Sequence, residues 1–542
     1  VKIELDGRAL TLDDVLRVAR PQSDGTFAEV ALADTARAAL GATRAYVEQQ
    51  WVNDEAPLIY SFNTGVGMFK DQRLLVADMA EHQTRVISAH ATGVGEPFPT
   101  EVVRAMMLLR ANAFASNFSG PSPEVVGRLL QFLNLQVHPI VPSQGSVGAS
   151  GDLAPLAHLA AAVAGLPQAQ VELHGQQMGA AEAASEVGLE PRIELRAKDA
   201  SALINGTTAS LAVAVLATAD ARRLLKAADV ALTMSLEAMR GELAAFEPPI
   251  HIARPHPGQA RTARNVLRVA AESARCSAPA REVRFPAELR APGELPAPRV
   301  QDVYSLRCAP QVHGPVSDAL DYVERVLGIE INSATDNPLI FEDGDGYRAI
   351  SGGNFHGQYI AQTMDLLALA VADLASISER RLARLLDPAM SYGLPRNLAT
   401  GRPGLNTGFV NVQCTASALV MENRGLSTAG SVDSIPGKGN AEDHVSNSAW
   451  CARKARVVVG NSEHVVAGEL LCAAQALSLV EPLMVDHPLG RGTQAALDAI
   501  RARVPAALDG DRWFQTDMGE VLDLVRTSGV VNAAEEAVGA LE

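Results

Sequence analysis

The strongest constraint on the fold lies in two long stretches without a helix breaker. Residues 207–240 contain neither Gly nor Pro and are rich in Ala, Leu and Arg. A helix through all of them would extend ~50 Å at the usual rise per residue. Residues 358–387 form a second such run, with Ile360, Met364, Leu367, Val371 and Leu374 spaced mostly three or four apart. Further helices are expected at 101–119 and 124–138, both amphipathic, and at 409–424, 441–459 and 469–481. Only 4% of residues are aromatic, so Ala and Leu must do most of the helix packing. Long helices crowded towards the C-terminal half predict a bundle packed side by side. Their wide apolar faces predict a homo-oligomer. The expected class is mainly α, with a smaller mixed N-terminal domain over residues 1–205 and the long-helix bundle over 206–542. The stretch 243–300, rich in proline, reads as loop or lid.

Composition excludes several functions. The chain has 62 acidic against 46 basic residues, a net charge of −16, and no basic run interleaved with aromatics. Nucleic acid is therefore not an expected partner. Five scattered cysteines, Cys276, Cys308, Cys414, Cys451 and Cys472, suit reduced thiols and a cytoplasmic setting. The twelve histidines form no metal-ligand spacing, so no metal is expected. The first residues, VKIELDGRALTLDDV, are too polar for a signal peptide. No apolar run reaches the ~18–20 residues of a membrane span.

The chemistry is concentrated in Gly145–His158, GSVGASGDLAPLAH. By itself Ala149-Ser150-Gly151 reads as a turn, and Asp152 as a cap for the apolar helix that follows. A second reading is chemical. Gly151 is unhindered, so its amide nitrogen could approach the Ala149 carbonyl. Ring closure with loss of two waters, one of them the Ser150 hydroxyl, would leave an electrophilic methylidene-imidazolone. No ordinary side chain is an electrophile, so a chain that needs one borrows it or makes it. An electrophile that takes up an amine turns it into a better leaving group. Such an elimination also needs a base near the β-carbon and a cation for the carboxylate.

The whole block resembles the signature of the histidine/phenylalanine/tyrosine ammonia-lyase family, nearly letter for letter. Further segments resemble that family in its order: IYSFNTGVG around Tyr60, LINGT with Asn205, QDVYSLR with Gln301, Tyr304 and Arg307, NSATDNPL at 332–339, SGGNFHG with Phe355, and GNAEDHVS with Glu442. The resemblance implies the helical fold of the aspartase and fumarase superfamily, a tetramer with shared active sites, and the prosthetic group MIO formed from Ala149, Ser150 and Gly151, with no metal or nucleotide. It implies that Tyr60 is the base and Arg307 the carboxylate clamp. It places Gln301 and Tyr304 at the MIO site, Asn205 on the MIO carbonyl, and Phe355 in the aromatic wall. The spacing of Gln301, Tyr304 and Arg307 would set them on one side of a helical turn. Without the family, Tyr60 reads as a core tyrosine and Asn205 as an N-cap for the long helix. Ser61 stands where the family usually has Gly.

Selectivity rests on fewer residues. Ala89-His90 occupies the family's selectivity segment, and His90 could hydrogen-bond an imidazole or a phenol. Glu442 matches the histidine branch, because a buried carboxylate suits an imidazole and would go unpaired against a phenyl ring. Ala89 and Ala441 make the pocket less polar than a typical histidine site. Histidine is the expected substrate, with tyrosine, phenylalanine or a 2,3-aminomutase reaction as alternatives. SIPGKGN, residues 434–440, also resembles the catalytic loop of fumarase and argininosuccinate lyases, which would make Ser434 the base without MIO.

Overall fold

The computed structural model describes residues 2–22, 24–402, 404–437 and 441–542. Two compact units are distinguishable. The first comprises Val1–Leu216, Val323–Asp365 and Ala429–Lys454; the second comprises Ala217–Tyr322, Leu366–Thr428 and Ala455–Glu542.

The first unit opens on strand Lys2–Leu5, paired in parallel with Glu29–Leu32 so that Ile3 faces Val30 and Leu5 faces Leu32. Between them, helix Leu12–Ala19 starts at a capping box, Thr11 accepting from the Asp14 amide while the Asp14 carboxylate accepts from the Thr11 amide. Helix Thr100–Ala115 is buried on nearly every side and so is not amphipathic. Its arginines are accommodated by carbonyls: Arg104 donates to Val18 O at 2.8 Å and Leu133 O at 3.0 Å. Helices Asp34–Gln50 and Pro123–Asn134 pack against it, and the unit also holds helices Met79–His90 and Leu153–Ala164 and a three-stranded sheet of His138–Pro139, Gln170–Leu173 and Gln176–Gly179.

The second unit is built of helices joined by irregular stretches, with Pro257–Val269, Val410–Leu426, Arg491–Arg503, Phe514–Arg526 and Gly529–Val538 among its helices. Its centre holds a buried polar cluster. Arg381 pairs with Glu469 through two bonds of 2.6 and 2.8 Å, and Ser235 and Ser378 donate to the same carboxylate.

The two long runs are helices Thr208–Ala238 and Gln358–Leu385. Three further sequence expectations are corrected. The expected helices at 441–459 and 469–481 are one helix, Ser448–Val480, and residues 441–447 before it are not helical. Gly468 within it is a packing residue rather than a break, since a Cβ there would lie 3.2 Å from Leu382 and 3.3 Å from Val412. The proline-rich 243–300 stretch contains helices Pro248–Ala253, Pro257–Val269 and Ala278–Glu282, with proline in the first turn of each. Proline fits there because that N–H has no helical partner to lose. Finally, Gln358–Leu385 and Ser448–Leu483 are long and apolar enough to cross a membrane, though 67% and 78% of their most apolar windows are buried within the protein.

Candidate active site

In the first unit a cavity of about 510 Å³ is walled by Tyr60, Ala89, His90, Ser150, Asn205 and Glu442, together with His82, Arg85, Ser201 and apolar neighbours. Six residues singled out from sequence, on five separated segments, therefore meet around one space. Of the two other residues of the tripeptide, Ala149 and Gly151 adjoin Ser150 in the loop. Phe355 is half-buried and is not among the described residues on this wall.

Tyr60 sits at the start of a tight turn braced by Asn63. The Asn63 oxygen accepts from the Ile59 amide at 2.8 Å, and its nitrogen donates to Pro57 O at 2.9 Å. Ser61 adopts φ +66°, a left-handed conformation. This is the physical meaning of a family glycine at that position. Serine holds it with two bonds: its amide donates to Thr64 Oγ1 at 3.1 Å and its hydroxyl to Ser201 Oγ at 2.5 Å. The Tyr60 hydroxyl oxygen accepts a hydrogen bond from the Gly67 amide at 3.2 Å. That bond holds the phenol oxygen in place at the cavity wall.

The Ala149-Ser150-Gly151 loop is a sharp turn, with φ of +83° at Gly148, +56° at Ser150 and +79° at Gly151. It is clamped on both sides. The Gly206 amide donates to Ser150 O at 3.2 Å, and Asp152 N donates to Gly206 O at 2.7 Å. Ser146 Oγ donates to Gly151 O at 3.2 Å and accepts from Gly148 N at 3.1 Å. A Cβ on Gly151 would stand 2.1 Å from Gly206 O, and one on Gly206 would stand 2.0 Å from Thr335 O. Only glycine fits either place. Asp152 does not cap the helix that follows it. Its carboxylate accepts from the amide and hydroxyl of Ser210, at 2.7 and 2.8 Å, in the first turn of the long helix Thr208–Ala238. Burial pushes its pKa up to about 6 against those bonds.

Asn205 follows helix Asp199–Ile204 and does not cap the long helix. Its nitrogen donates to the Asn337 carbonyl at 3.0 Å, while its buried Oδ1 has no partner. Because a carbonyl can only accept, this contact fixes which way the amide points. Lys198 donates to the same Asn337 oxygen at 3.1 Å and pairs with Asp336 at 3.0 Å, both charges fully buried. Arg110, also fully buried, donates to the Asn205 backbone carbonyl at 2.7 Å, and burial lowers its pKa to about 10. These supports were missed in the sequence. The segment NSATDNPL supplies Asp336 and Asn337, a role its letters do not show because the partners Lys198 and Asn205 are distant in sequence.

Glu442 presents a buried Oε2 with no hydrogen-bond partner. Its loop is held by the Gly437 amide on Glu442 O at 2.6 Å, and Asn447 N donates to Val147 O at 2.9 Å beside the glycine turn. Ser434 is not on the cavity wall, and its Oγ accepts from the Val445 amide at 2.8 Å. Lys438, Gly439 and Asn440 of SIPGKGN lie outside the described residues.

Gln301, Tyr304 and Arg307 belong to the second unit. Only Tyr304–Arg307 is helical, so Gln301 precedes the helix rather than sharing its face. Gln301 lines a separate cavity of about 490 Å³ in that unit, together with Arg240 and Arg299. Tyr304 is 71% exposed. The Arg307 guanidinium lies 4.7 Å from the Tyr304 ring centre and donates to Asp302 O at 2.7 Å.

Residues 10–502 match the family model described as aromatic amino acid lyase. The chain belongs to the aromatic amino acid lyase family. As a member it is a carbon–nitrogen lyase with the mainly helical fold of its solved relatives. It is 45% identical to a histidine ammonia-lyase of Gloeobacter violaceus, over 99% of this chain and 98% of that one. The crystal structure of histidine ammonia-lyase from Trypanosoma cruzi is 36% identical, with TM-score 0.86, covering 99% of this chain and 96% of that one. A tyrosine aminomutase from Streptomyces globisporus is 33% identical, with TM-score 0.89 and complete coverage of both chains. Within this lyase family the cavity that gathers Tyr60, Ser150, Asn205 and Glu442 is the candidate active site.

Proposed function

We propose that this lyase removes ammonia from L-histidine to give trans-urocanate, using MIO formed from Ala149, Ser150 and Gly151. The observation that carries the substrate is the unpartnered carboxylate oxygen of Glu442 in the same cavity as His90. An imidazole N–H satisfies such an oxygen, whereas a phenyl ring leaves it unpaired.

The residues present fit the prosthetic group. The turn is left-handed at Ser150 and Gly151, no Cβ is tolerated at Gly151, and Asn205, with one side-chain N–H on Asn337 O, keeps its second N–H for an acceptor at the same wall. When formed, MIO supplies the electrophile that makes the substrate amine a leaving group. The chain does the rest. Tyr60, its oxygen positioned by the Gly67 amide, takes the β-proton. The electron pair of that C–H bond becomes the new double bond, and ammonia departs with the pair of the C–N bond. Asn205 polarises the imidazolone. Arg307 clamps the substrate carboxylate, with Gln301 and Tyr304 beside it and Phe355 along the ring. Ala89 and His90 line the side-chain end. The proposed assembly is a homotetramer in which more than one copy completes each site, and Tyr304, 71% exposed, is accessible to another copy. The proposed division is 1–205 for the two loops and 206–542 for the bundle, in a cytoplasmic enzyme without metal or nucleotide.

A second reading is a 2,3-aminomutase, favoured by the likeness to the tyrosine aminomutase fold. One experiment separates them. Purified enzyme is given L-histidine, L-tyrosine and L-phenylalanine, and both the conjugated acid and the β-amino acid are followed. Urocanate from histidine supports the proposal; preference for phenylalanine, or accumulation of a β-amino acid, overturns it.

A further inference from the structure

Helix Met79–His90 turns His82, Arg85, Val86 and Ala89 to the cavity, a stripe at spacings of three, four and seven. His82 has no part in the chemistry described so far. A neutral imidazole carries one N–H and one bare nitrogen, so a pocket that holds it needs an acceptor and a donor.

The acceptors are present twice. Glu442 Oε2 is one. His90 is the other: its Nδ1 lies 2.7 Å from Val86 O, and a carbonyl only accepts, so Nδ1 donates and Nε2 is the nitrogen this tautomer turns to a ligand as acceptor. The Tyr60 hydroxyl is the base in the proposed function, and the other donors on the wall are mostly spent. Ser201 donates to Lys198 O at 3.2 Å, Asn205 to Asn337 O, and the Gly67 amide to Tyr60. The remaining Asn205 N–H faces the imidazolone in the proposed function. Arg85 is 77% exposed and tied to Glu81.

His82 remains. Its ring is half-buried, and burial alone lowers its pKa, with no hydrogen bond or charge contributing. The neutral ring is thus free to turn either nitrogen's proton to a ligand.

We propose that His82 is a specificity-determining residue that donates a hydrogen bond to the bare ring nitrogen of an imidazole-bearing substrate, complementing the acceptor Glu442. This rests on the imidazole reading of the proposed function.

The test compares wild-type enzyme with His82→Leu, which removes the donor, and His82→Asn, which keeps one. Competitive inhibition is measured with imidazole-4-propionate and 3-phenylpropionate, alongside KM and kcat for L-histidine. His82→Leu is expected to weaken imidazole-4-propionate about tenfold, raise KM for histidine similarly, and leave 3-phenylpropionate within about twofold. His82→Asn is expected to recover most of the loss. Equal weakening of both ligands would show a merely structural role and overturn the inference, as would no change in either. Failure of the substrate reading shows separately, in the wild-type enzyme, as no turnover of histidine and tighter binding of the phenyl ligand.

Discussion

Asn205 donates its side-chain N–H to the Asn337 carbonyl at 3.0 Å, and that contact leaves the amide oxygen buried without a partner. The same carbonyl takes a bond from Lys198, whose charge is balanced by Asp336 in a fully buried pair. The orientation of a candidate catalytic amide is therefore set by an ion pair beneath it. Lys198→Met should strand the Asp336 carboxylate and cost about 3–5 kcal/mol in urea denaturation. The double variant with Asp336→Leu should recover part of that stability. Equal stability of the single variant and wild type would contradict this support.

Tyr60→Phe should lower turnover by about 10²–10⁴, the range of a positioned base, with little change in melting temperature. The hydroxyl makes one exposed bond, to Gly67, so its loss should not unsettle the fold. Unchanged turnover of every amino acid would remove Tyr60 from the mechanism.

Glu442→Gln keeps the shape and removes the charge. The expected result is a drop in kcat/KM for histidine of about 10- to 100-fold, the worth of a hydrogen bond to a charged group. The ratio of phenylalanine to histidine turnover should rise. Steady-state kinetics on both substrates check this.

Asp152 gives a pH prediction. Its pKa is raised by burial from 3.8 to about 6, so folding takes up a proton at this carboxyl. The stability it contributes is complete below 3.8 and is lost as pH rises through about 6. Asp152→Asn escapes that loss. The stability difference between variant and wild type should therefore shift by about 3 kcal/mol in the variant's favour between about pH 4 and pH 7. Denaturation series at several pH values measure it, and a pH-independent difference would contradict it.

Much of the site is legible in the sequence because its parts are local motifs whose chemistry depends on residue type. A left-handed Ser-Gly turn, a tyrosine loop and a lone glutamate can each be found by inspection. Their supports cannot. Arg110, Lys198 and Asp336 lie far apart in the chain, and only folding shows that they meet behind Asn205. The long helices follow from the absence of breakers at 207–240 and 358–387. Gly468 misleads, because a glycine chosen for close helix packing has the same letter as one that ends a helix. The prolines near 248 and 257 mislead in the opposite sense, since they begin helices. Asp152 shows a third limit: a cap was expected, but for the wrong helix, because the partner amide at Ser210 is brought in by tertiary folding.

The central claim is that Ala149, Ser150 and Gly151 make the electrophile, and mass measurement tests it directly. The intact wild-type chain should be lighter than its sequence by two waters, with the deficit confined to a peptide containing residues 149–151. Ser150→Ala should restore the full mass at that peptide and lose activity. A wild-type peptide at full mass in active enzyme would contradict the account.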